Sequence, residues 1–327
     1  MPTNITLLVN PSAGGGRARK LLPEVSGALA SQVREVRLNV VESLSFRDAR
    51  QRAADIVSRA SADPEHSDTL LVMGGDGMAH VGINACAHTN VKLGIIPSGT
   101  GDDFCRGMGI PREPMEAVQA IVAGQGRLVD LMSVEGRLTD GDHQRFVGSV
   151  VSTGFDAKVN YRVNNSNLPL GSLSYAYAAI AEIAAFRPLH YRLTTNGFTR
   201  ELEAMMVCVA NAGYLGGGMW IAPSADVTDG LLDVTIAHSV DRSVLVRMLP
   251  KMYSGSFVSH PAVERFQVSE ITVTGENMYA MADGENLGEV PVTMQAHQRC
   301  LHLLGRRDTD SSLPPDDQTV QYRSIKS

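Results

Sequence analysis

The stretch LLVMGGDGMAHVGINA, from Leu70 to Ala85, sets an apolar run against a Gly-Gly-Asp-Gly turn and then continues with apolar residues at helical spacing. A short apolar run bounded by glycines is typical of a buried strand, and the spacing after the turn is typical of a helix. The pattern predicts a strand, a tight turn and a helix. A purely structural turn does not need the carboxylate of Asp76, so this turn is the first candidate for a functional site.

The same strand and helix pattern repeats through the first third of the chain. We expect strands at 5–9, 36–41, 69–73 and 92–96, alternating with helices at 21–32, 45–60, 78–87 and 113–123. Alternation of this kind predicts a three-layer α/β domain, with a parallel sheet between two layers of helices. Such sheets bind their ligands at the carboxyl ends of the strands.

Three glycine-rich segments lie at those carboxyl ends: NPSAGGG at 10–16, GGDG at 74–77 and PSGTGDDF at 97–104. Any one of them alone would be an ordinary tight connection. The first precedes a helix and can present backbone N–H groups to a phosphate, although it is neither a Walker A loop nor a dinucleotide fingerprint. Together the three segments predict a phosphate or nucleotide site.

From residue 146 onward the pattern changes to short alternating strands, with helical segments at 172–186 and 241–253. We expect an α/β domain over 1–133 and a β-sandwich domain over 134–300. The segment 300–327 either returns to the first domain or is frayed, because most of it is polar and interrupted by proline.

Composition and charge exclude several classes of partner and location. The chain has 327 residues and a formal net charge of -6, which argues against a nucleic-acid partner. No apolar run reaches the ~18 residues of a spanning helix, so we expect no transmembrane segment and only peripheral membrane contact. The four cysteines form no C-x-x-C pair, which favours reduced thiols in the cytoplasm.

Three carboxylates, those of Asp76, Asp103 and Asp130, follow or lie in neighbouring predicted strands. We expect them to converge beside the nucleotide, where Mg²⁺ and water could link them. For Asp130, an ordinary strand-end pairing with an arginine is an equally good interpretation. The hydroxyl of Thr100 suits a contact to nucleotide sugar or phosphate.

The ordered set NPSAGGG, GGDG, PSGTGDDF, RLVDL, GFDA, ADVTDGLLDV and ADGE resembles the diacylglycerol kinase catalytic-domain family of bacterial lipid kinases. The resemblance covers nearly the whole chain. It implies an active site in the cleft between the two domains, with ATP and Mg²⁺ as cofactors. It implies ATP contacts along the three glycine segments, and less certainly at Ser43: Asn10, Pro11, Ser12, Ala13, Gly14, Ser43, Gly74, Gly75, Asp76, Gly77, Met78, Ala79, His80 and Thr100.

The resemblance also implies a structural Mg²⁺ held by Asp226, Asp229 and the backbone carbonyl of Leu231. Two carboxylates three residues apart in a glycine turn suit a hard cation, although the residues alone favour an ordinary Asp-Gly turn. Phosphoryl transfer to a hydroxyl also needs a nearby carboxylate. We expect Asp283 to be the general base, with Glu285 as the alternative base or as the residue that orients Asp283.

The sequence departs from the family pattern at Met78, His80 and Asp102, where Thr, Asn and Asn are usual. Each departure changes a polar contact near the nucleotide, so altered nucleotide preference is open. The expected reaction is phosphorylation of diacylglycerol at the membrane surface, by a protein that could form a homodimer. The alternatives are a kinase of a sphingoid base or ceramide, an NAD kinase, and a catalytically silent lipid- or nucleotide-binding protein.

Overall fold

The computed structural model describes residues 3–32, 36–61, 69–124, 126–154, 188–283 and 285–305. The helix expected at 172–186 and most of the C-terminal tail lie outside these residues. Helices and strands are numbered below in chain order. The first unit is an α/β domain, and the second is rich in antiparallel strands, so the predicted fold class is confirmed.

The first unit is built on a parallel sheet in the order β2-β1-β3-β4. β3 and β4 are buried along nearly their whole length because helices cover both faces of the sheet. The edge strand β2 is largely exposed. The strands are β1 (Thr3–Val9), β2 (Val36–Glu42), β3 (Thr69–Gly74) and β4 (Lys92–Pro97), and the helices are α1 (Ala13–Gln32), α2 (Phe46–Ser61), α3 (Asp76–Cys86), α4 (Asp103–Met108) and α5 (Pro114–Val122).

Alternate residues of each strand supply the two cores of this unit. Leu7 packs in the core beneath α1 and α5, whereas Leu8 packs in the core beneath α2 and α3. In the same way, Leu71 packs in the core beneath α1 and α5, and Leu70 packs in the core beneath α2 and α3. This alternation is the period-two geometry of a strand, and it produces the three predicted layers.

The second unit contains the remaining strands, one described α-helix and two described 3-10 helices, Thr139–Gly141 and Ser256–Ser259. The strands and the α-helix are β5 (Gly126–Leu138), β6 (Gln144–Val147), β7 (Val150–Gly154), β8 (Leu189–Thr194), β9 (Thr199–Ala210), β10 (Tyr214–Leu215), β11 (Met219–Trp220), β12 (Leu232–His238), α6 (Arg242–Tyr253), β13 (Val263–Val268), β14 (Glu270–Gly275), β15 (Tyr279–Ala282) and β16 (Glu285–Leu304). The antiparallel pairing runs β7-β15-β16-β14-β8-β9 and returns to β7, so this part of the sheet closes into a barrel-like sandwich.

Two long strands, β5 and β16, join the units. They pair with each other in antiparallel fashion over most of their length. The end of β16 then pairs in parallel with β4, with Leu303 opposite Leu93. The chain therefore returns to the first sheet at its described end, and β5 runs through the boundary expected at 133/134.

Candidate active site

The three glycine-rich turns meet at the carboxyl ends of β1, β3 and β4. The N–H of Asn10 donates to the carbonyl of Met73 at 3.0 Å, which ties the first turn to the end of β3. A Cβ placed on Gly99 would lie 2.5 Å from the Cα of Gly75, so the second and third turns touch through their backbones. The turns therefore form one continuous floor made largely of main chain.

The turn between β1 and α1 is held open by its own polar atoms. The Asn10 Oδ1 accepts the N–H of Ser12 at 3.1 Å, and the Asn10 carbonyl accepts the N–H of Ala13 at 3.1 Å. Gly14, Gly15 and Gly16 follow with φ of 58°, 65° and 91°, a conformation that glycine adopts without strain. The three glycines bring no side chain to the start of α1, which suits an anion-binding turn.

Asp76 is the first residue of α3, and its side chain points into this floor. Its Oδ1 accepts the N–H of Phe104 at 3.0 Å, which links the second turn to α4. The pKa of Asp76 is raised to about 7, chiefly by burial and also by the charges of Asp283, Asp103 and Asp102, against the opposite effect of that hydrogen bond. The carboxylate within the glycine turn therefore belongs to a group of buried acids.

Asp103 connects the floor to the second unit. Its Oδ2 accepts the N–H of Gly217 at 2.6 Å, so the glycine turn between β10 and β11 closes onto α4. Burial raises the pKa of Asp103. The turn between β10 and β11 therefore forms one wall of the cleft.

Asp102 lies between the buried acids and a group of basic side chains. Burial raises its pKa, while the charges of Arg112, Arg17 and Arg106 act in the opposite direction. In the part of the chain that the structure describes, the Oδ1 atoms of Asp102 and Asp103 are buried without a hydrogen-bond partner. Orphaned acceptors of this kind favour a cation or a hydrogen-bond donor as the missing ligand.

Asp283 reaches the cleft from the turn between β15 and β16. Its carboxylate Oδ2 lies 3.1 Å from Nδ1 of His80, and both side chains are only 4% exposed. Glu285, two residues later, begins β16 and is exposed. The residue that contacts Asp283 is therefore His80 and not Glu285.

Several predicted ATP contacts have side chains that point elsewhere. Met78 and Ala79 are 4% and 2% exposed and pack in the core beneath α2 and α3, so only their backbone can face a ligand. The hydroxyl of Ser43 donates to the carbonyl of Val9 at 3.1 Å and joins β2 to β1. Of the other predicted contacts, 10–14, 74–77 and Thr100 lie in the three turns, and the side chain of His80 contacts Asp283.

The prediction that Asp130 converges with Asp76 and Asp103 is wrong. Asp130 is 1% exposed. Its Oδ1 accepts the N–H of Arg299 and its Oδ2 accepts the N–H of Gly230, each at 2.7 Å. Buried backbone donors need acceptors, and Asp130 supplies two. It therefore holds the turn after Asp226 against β16, away from the nucleotide floor.

The turn that Asp130 supports contains the predicted metal residues. Asp226 Oδ1 accepts the N–H and the hydroxyl of Thr228, at 3.0 and 2.7 Å, and Asp229 Oδ1 accepts the N–H of Leu231 at 2.9 Å. Burial raises the pKa of Asp229, and the nearby charges of Asp226, Asp233 and Asp130 add to this effect. Negative charge is concentrated in this turn.

Two features of the cleft were missed from the sequence. The contact from Gly217 to Asp103 and the pair of His80 with Asp283 both join residues more than 100 positions apart. The run of three glycines before Met219 was visible as a turn, but nothing local indicated its partner. No sequence signal could have paired His80 with Asp283.

Two family models match the chain. The diacylglycerol kinase catalytic domain matches residues 4–134, and the YegS C-terminal NAD kinase beta sandwich-like domain matches residues 149–305. The two matches fall on the α/β unit and on the β-rich unit.

Relatives match over both units. A diacylglycerol kinase of Mycobacterium tuberculosis (strain CDC 1551 / Oshkosh) is 34% identical over 93% of this chain and 95% of its own length. A diacylglycerol kinase of Bacillus subtilis (strain 168) is 26% identical over 72% of this chain and 77% of its own length. The chain belongs to the diacylglycerol kinase catalytic-domain family, whose members are lipid kinases.

The fold agrees with a solved structure. The crystal structure of a candidate diacylglycerol kinase from Bacillus anthracis strain Sterne superposes with a TM-score of 0.74 at 22% identity, covering 92% of this chain and 95% of that one. Among the described helices, none combines the length and the apolar character needed to cross a membrane.

Proposed function

We propose that the protein transfers the γ-phosphoryl group of ATP to the free hydroxyl of diacylglycerol and so forms phosphatidic acid. The observation that carries this proposal is the buried carboxylate of Asp283, which the second unit presents beside Asp76. A carboxylate from one unit thus faces the glycine floor of the other. The names of the relatives in Mycobacterium tuberculosis and Bacillus subtilis support diacylglycerol as the acceptor.

The glycine floor is the proposed site for the ATP phosphates. In the first turn the N–H groups of Asn10, Ser12 and Ala13 already have acceptors within the protein, so the proposed phosphate donor there is the N–H of Gly14. At the N-terminus of α3 the proposed donors are the N–H groups of Gly75, Asp76 and Gly77. Thr100 is exposed in the third turn and can donate its hydroxyl. Arg17, Arg106 and Arg112 surround Asp102 and place positive charge at the edge of the floor.

The buried acids fit a divalent cation of the kind that kinases use with ATP. Within the described ranges, no three His, Cys, Asp or Glu side chains are grouped as a complete metal site. Mg²⁺ is usually bound by one or two carboxylates together with phosphate oxygens and water, so an incomplete protein site suits it. Asp76 and Asp103 would supply the two carboxylates, and the cation would neutralise charge on the phosphates.

A second cation fits the turn from Asp226 to Leu231. The carboxylates of Asp226 and Asp229 and the carbonyl of Leu231 are oxygen donors of the type that hard cations require. A cation there would relieve the concentrated negative charge that raises the pKa of Asp229. We assign this cation a structural role because Asp130 ties the turn to β16 and not to the nucleotide floor.

Asp283 is the proposed general base. In the reaction it accepts the proton of the acceptor hydroxyl while the hydroxyl oxygen bonds to the γ-phosphorus and the bond to the leaving ADP oxygen breaks. A positioned base contributes about 10²- to 10⁴-fold to rate. Because the acceptor is a lipid, we place the reaction at the cytoplasmic membrane surface, with the protein bound peripherally.

The test is transfer of labelled γ-phosphate from ATP to diacylglycerol in mixed micelles with Mg²⁺, with a sphingoid base, ceramide and NAD as parallel acceptors. We expect label in phosphatidic acid. Label only in another acceptor would correct the substrate. If the protein binds ATP but transfers no label to any acceptor, the proposal would be wrong and a catalytically silent binding protein would be favoured.

Asp283→Asn tests the base in the same assay, with Glu285→Gln as its matched control in the same turn. We expect Asp283→Asn to lower kcat by about 100-fold or more with little change in the KM for ATP, because the base acts on the acceptor. Glu285→Gln should stay within a few-fold of the wild type. The reverse result would assign the role of base to Glu285.

A further inference from the structure

His80 lies one helical turn after Asp76 on α3. Residues four apart on a helix share a face, so the two side chains point toward the same cleft. His80 is 3% exposed, and its ring lies against the turn between β15 and β16 of the second unit. It therefore occupies the boundary between the nucleotide floor and the residue that faces the acceptor.

The contact between His80 and Asp283 has a defined direction. The Nδ1 of the ring lies 3.1 Å from Oδ2 of the carboxylate. An ionised carboxylate can only accept, so Nδ1 carries the hydrogen whether the ring is neutral or charged. A hydrogen bond to an ionised group is stronger than a neutral one and fixes the orientation of the carboxylate.

Asp283 lies away from solvent and close to other carboxylates. Its side chain is 4% exposed, and its charge is close enough to raise the pKa of Asp76 and of Asp103. Among the residues that the structure describes, His80 is the side chain that offers Asp283 a hydrogen bond.

The backbone conformation of Asp283 is also unusual. Asp283 has φ of 52°, a left-handed conformation that is uncommon for a residue with a side chain. The residue lies in the turn between β15 and β16, so the barrel fixes its Cα but not the rotation of its carboxylate. The contact with His80 holds Oδ2 and leaves Oδ1 outside that hydrogen bond.

We propose that His80 is a positioning residue for Asp283: its Nδ1–H orients the carboxylate of the base and ties the second unit to α3. This inference rests on the proposed function, because it assigns His80 to the acceptor half of the reaction. It differs from the first expectation, in which His80 contacts ATP. Its consequence is that loss of His80 lowers kcat and leaves the KM for ATP unchanged.

Three substitutions of His80 test the proposal. His80→Ala removes the donor, and we expect kcat to fall roughly tenfold to a hundredfold, as loss of a hydrogen bond to a charged group implies. His80→Asn keeps an N–H donor as far along the side chain as Nδ1, so it should retain kcat within a few-fold. His80→Gln moves the donor one bond further and should resemble His80→Ala.

The matched control is His190→Ala. His190 also forms a pair with a carboxylate at 3.1 Å, to Glu203, but its side chain is 85% exposed. This variant should leave kcat and KM unchanged. A rise in the KM for ATP with unchanged kcat in His80→Ala would overturn the proposal and return His80 to the nucleotide site.

A double-mutant cycle separates positioning from general structural damage. In the Asp283→Asn background, His80→Ala should change the residual kcat by less than about twofold, because the carboxylate that His80 positions is already gone. An equal loss of kcat in both backgrounds would show that His80 acts independently of Asp283, and it would sink the inference.

A readout without turnover separates this inference from the proposed function. In protein with ¹⁵N-labelled histidine, His80 should show a protonated Nδ1 whose resonance disappears in His80→Asn and moves in Asp283→Asn. An inactive wild type would refute the proposed function, and the pair would then be judged by this resonance alone. A deprotonated Nδ1, or one insensitive to Asp283→Asn, would overturn the pairing.

Discussion

Removing the charge of Asp76 should stabilise the protein while it abolishes activity. Asp76 is buried, accepts the N–H of Phe104 through Oδ1, and has a pKa raised to about 7 by burial and by the neighbouring carboxylates. Asn at this position keeps the Oδ1 acceptor and cannot ionise. The substitution therefore removes an unfavourable charge and preserves the hydrogen bond that links α3 to α4.

The sign and size of the change in the free energy of unfolding follow from proton linkage. The unfolded carboxyl of Asp76 loses its proton near pH 3.8, whereas the folded one keeps it until about pH 7. Between these values the folded chain binds more protons, so this group's contribution to the free energy of unfolding is complete below pH 3.8 and is lost as pH rises toward 7. At about 1.4 kcal/mol per pKa unit, the loss at pH 8 is about 4 kcal/mol.

The assay is urea unfolding of wild type and Asp76→Asn at pH 4.5 and at pH 8, without nucleotide and with EDTA. We expect the variant to be more stable by about 2 to 4 kcal/mol at pH 8, and by much less at pH 4.5. Asp48→Asn is the control of opposite sign, because the hydrogen bond from Arg52 lowers the pKa of Asp48.

Two results would refute this reasoning. The first is an Asp76→Asn variant that is less stable than wild type at pH 8. The second is the same difference in the free energy of unfolding at both pH values, which would mean that the charge of Asp76 is not the cause.

Two further substitutions address the supports of the cleft. Asp130→Asn should lower the free energy of unfolding by about 2 to 4 kcal/mol, because its amide nitrogen would face a buried N–H. The kcat of the folded protein, measured below the unfolding transition, should stay near wild type. A large fall in kcat without loss of stability would return Asp130 to the active site. Gly14→Ala should raise the KM for ATP and should lower stability in thermal unfolding more than Gly124→Ala does. Both glycines have left-handed φ, of 58° and 70°, but only at Gly14 would a side chain overlap the carbonyl of Ser98. Equal losses of stability would show that φ alone matters.

The sequence predicted the elements of the first unit because their signals are local. The apolar run from Leu70 to Met73 and the glycines after it define a strand and a turn without knowledge of any neighbour. Parallel order then brings three such turns to one edge. The short helix α4, of six residues, was not predicted, because it is too short to show a helical period.

The contacts of the site could not be predicted because they join distant parts of the chain. Asp130 looked like Asp76 and Asp103 in sequence, since all three lie at predicted strand ends. Its partners, Gly230 and Arg299, lie 100 and 169 residues away, and only the pairing of β5 with β16 brings Arg299 near it. Which carboxylate reaches the cleft is decided by sheet topology.

The two contacts that bridge the cleft explain how mutually repelling acids can be kept there. Asp103 receives an N–H from Gly217, and Asp283 receives one from His80, so each bridge satisfies one buried carboxylate with a donor from the opposite unit. Separating the units would remove both donors and leave the acids unpaired. The carboxylates that a phosphoryl-transfer site needs are therefore held in place by the same two contacts that hold the units together. A change that weakens these contacts should impair catalysis before it unfolds the core of either unit.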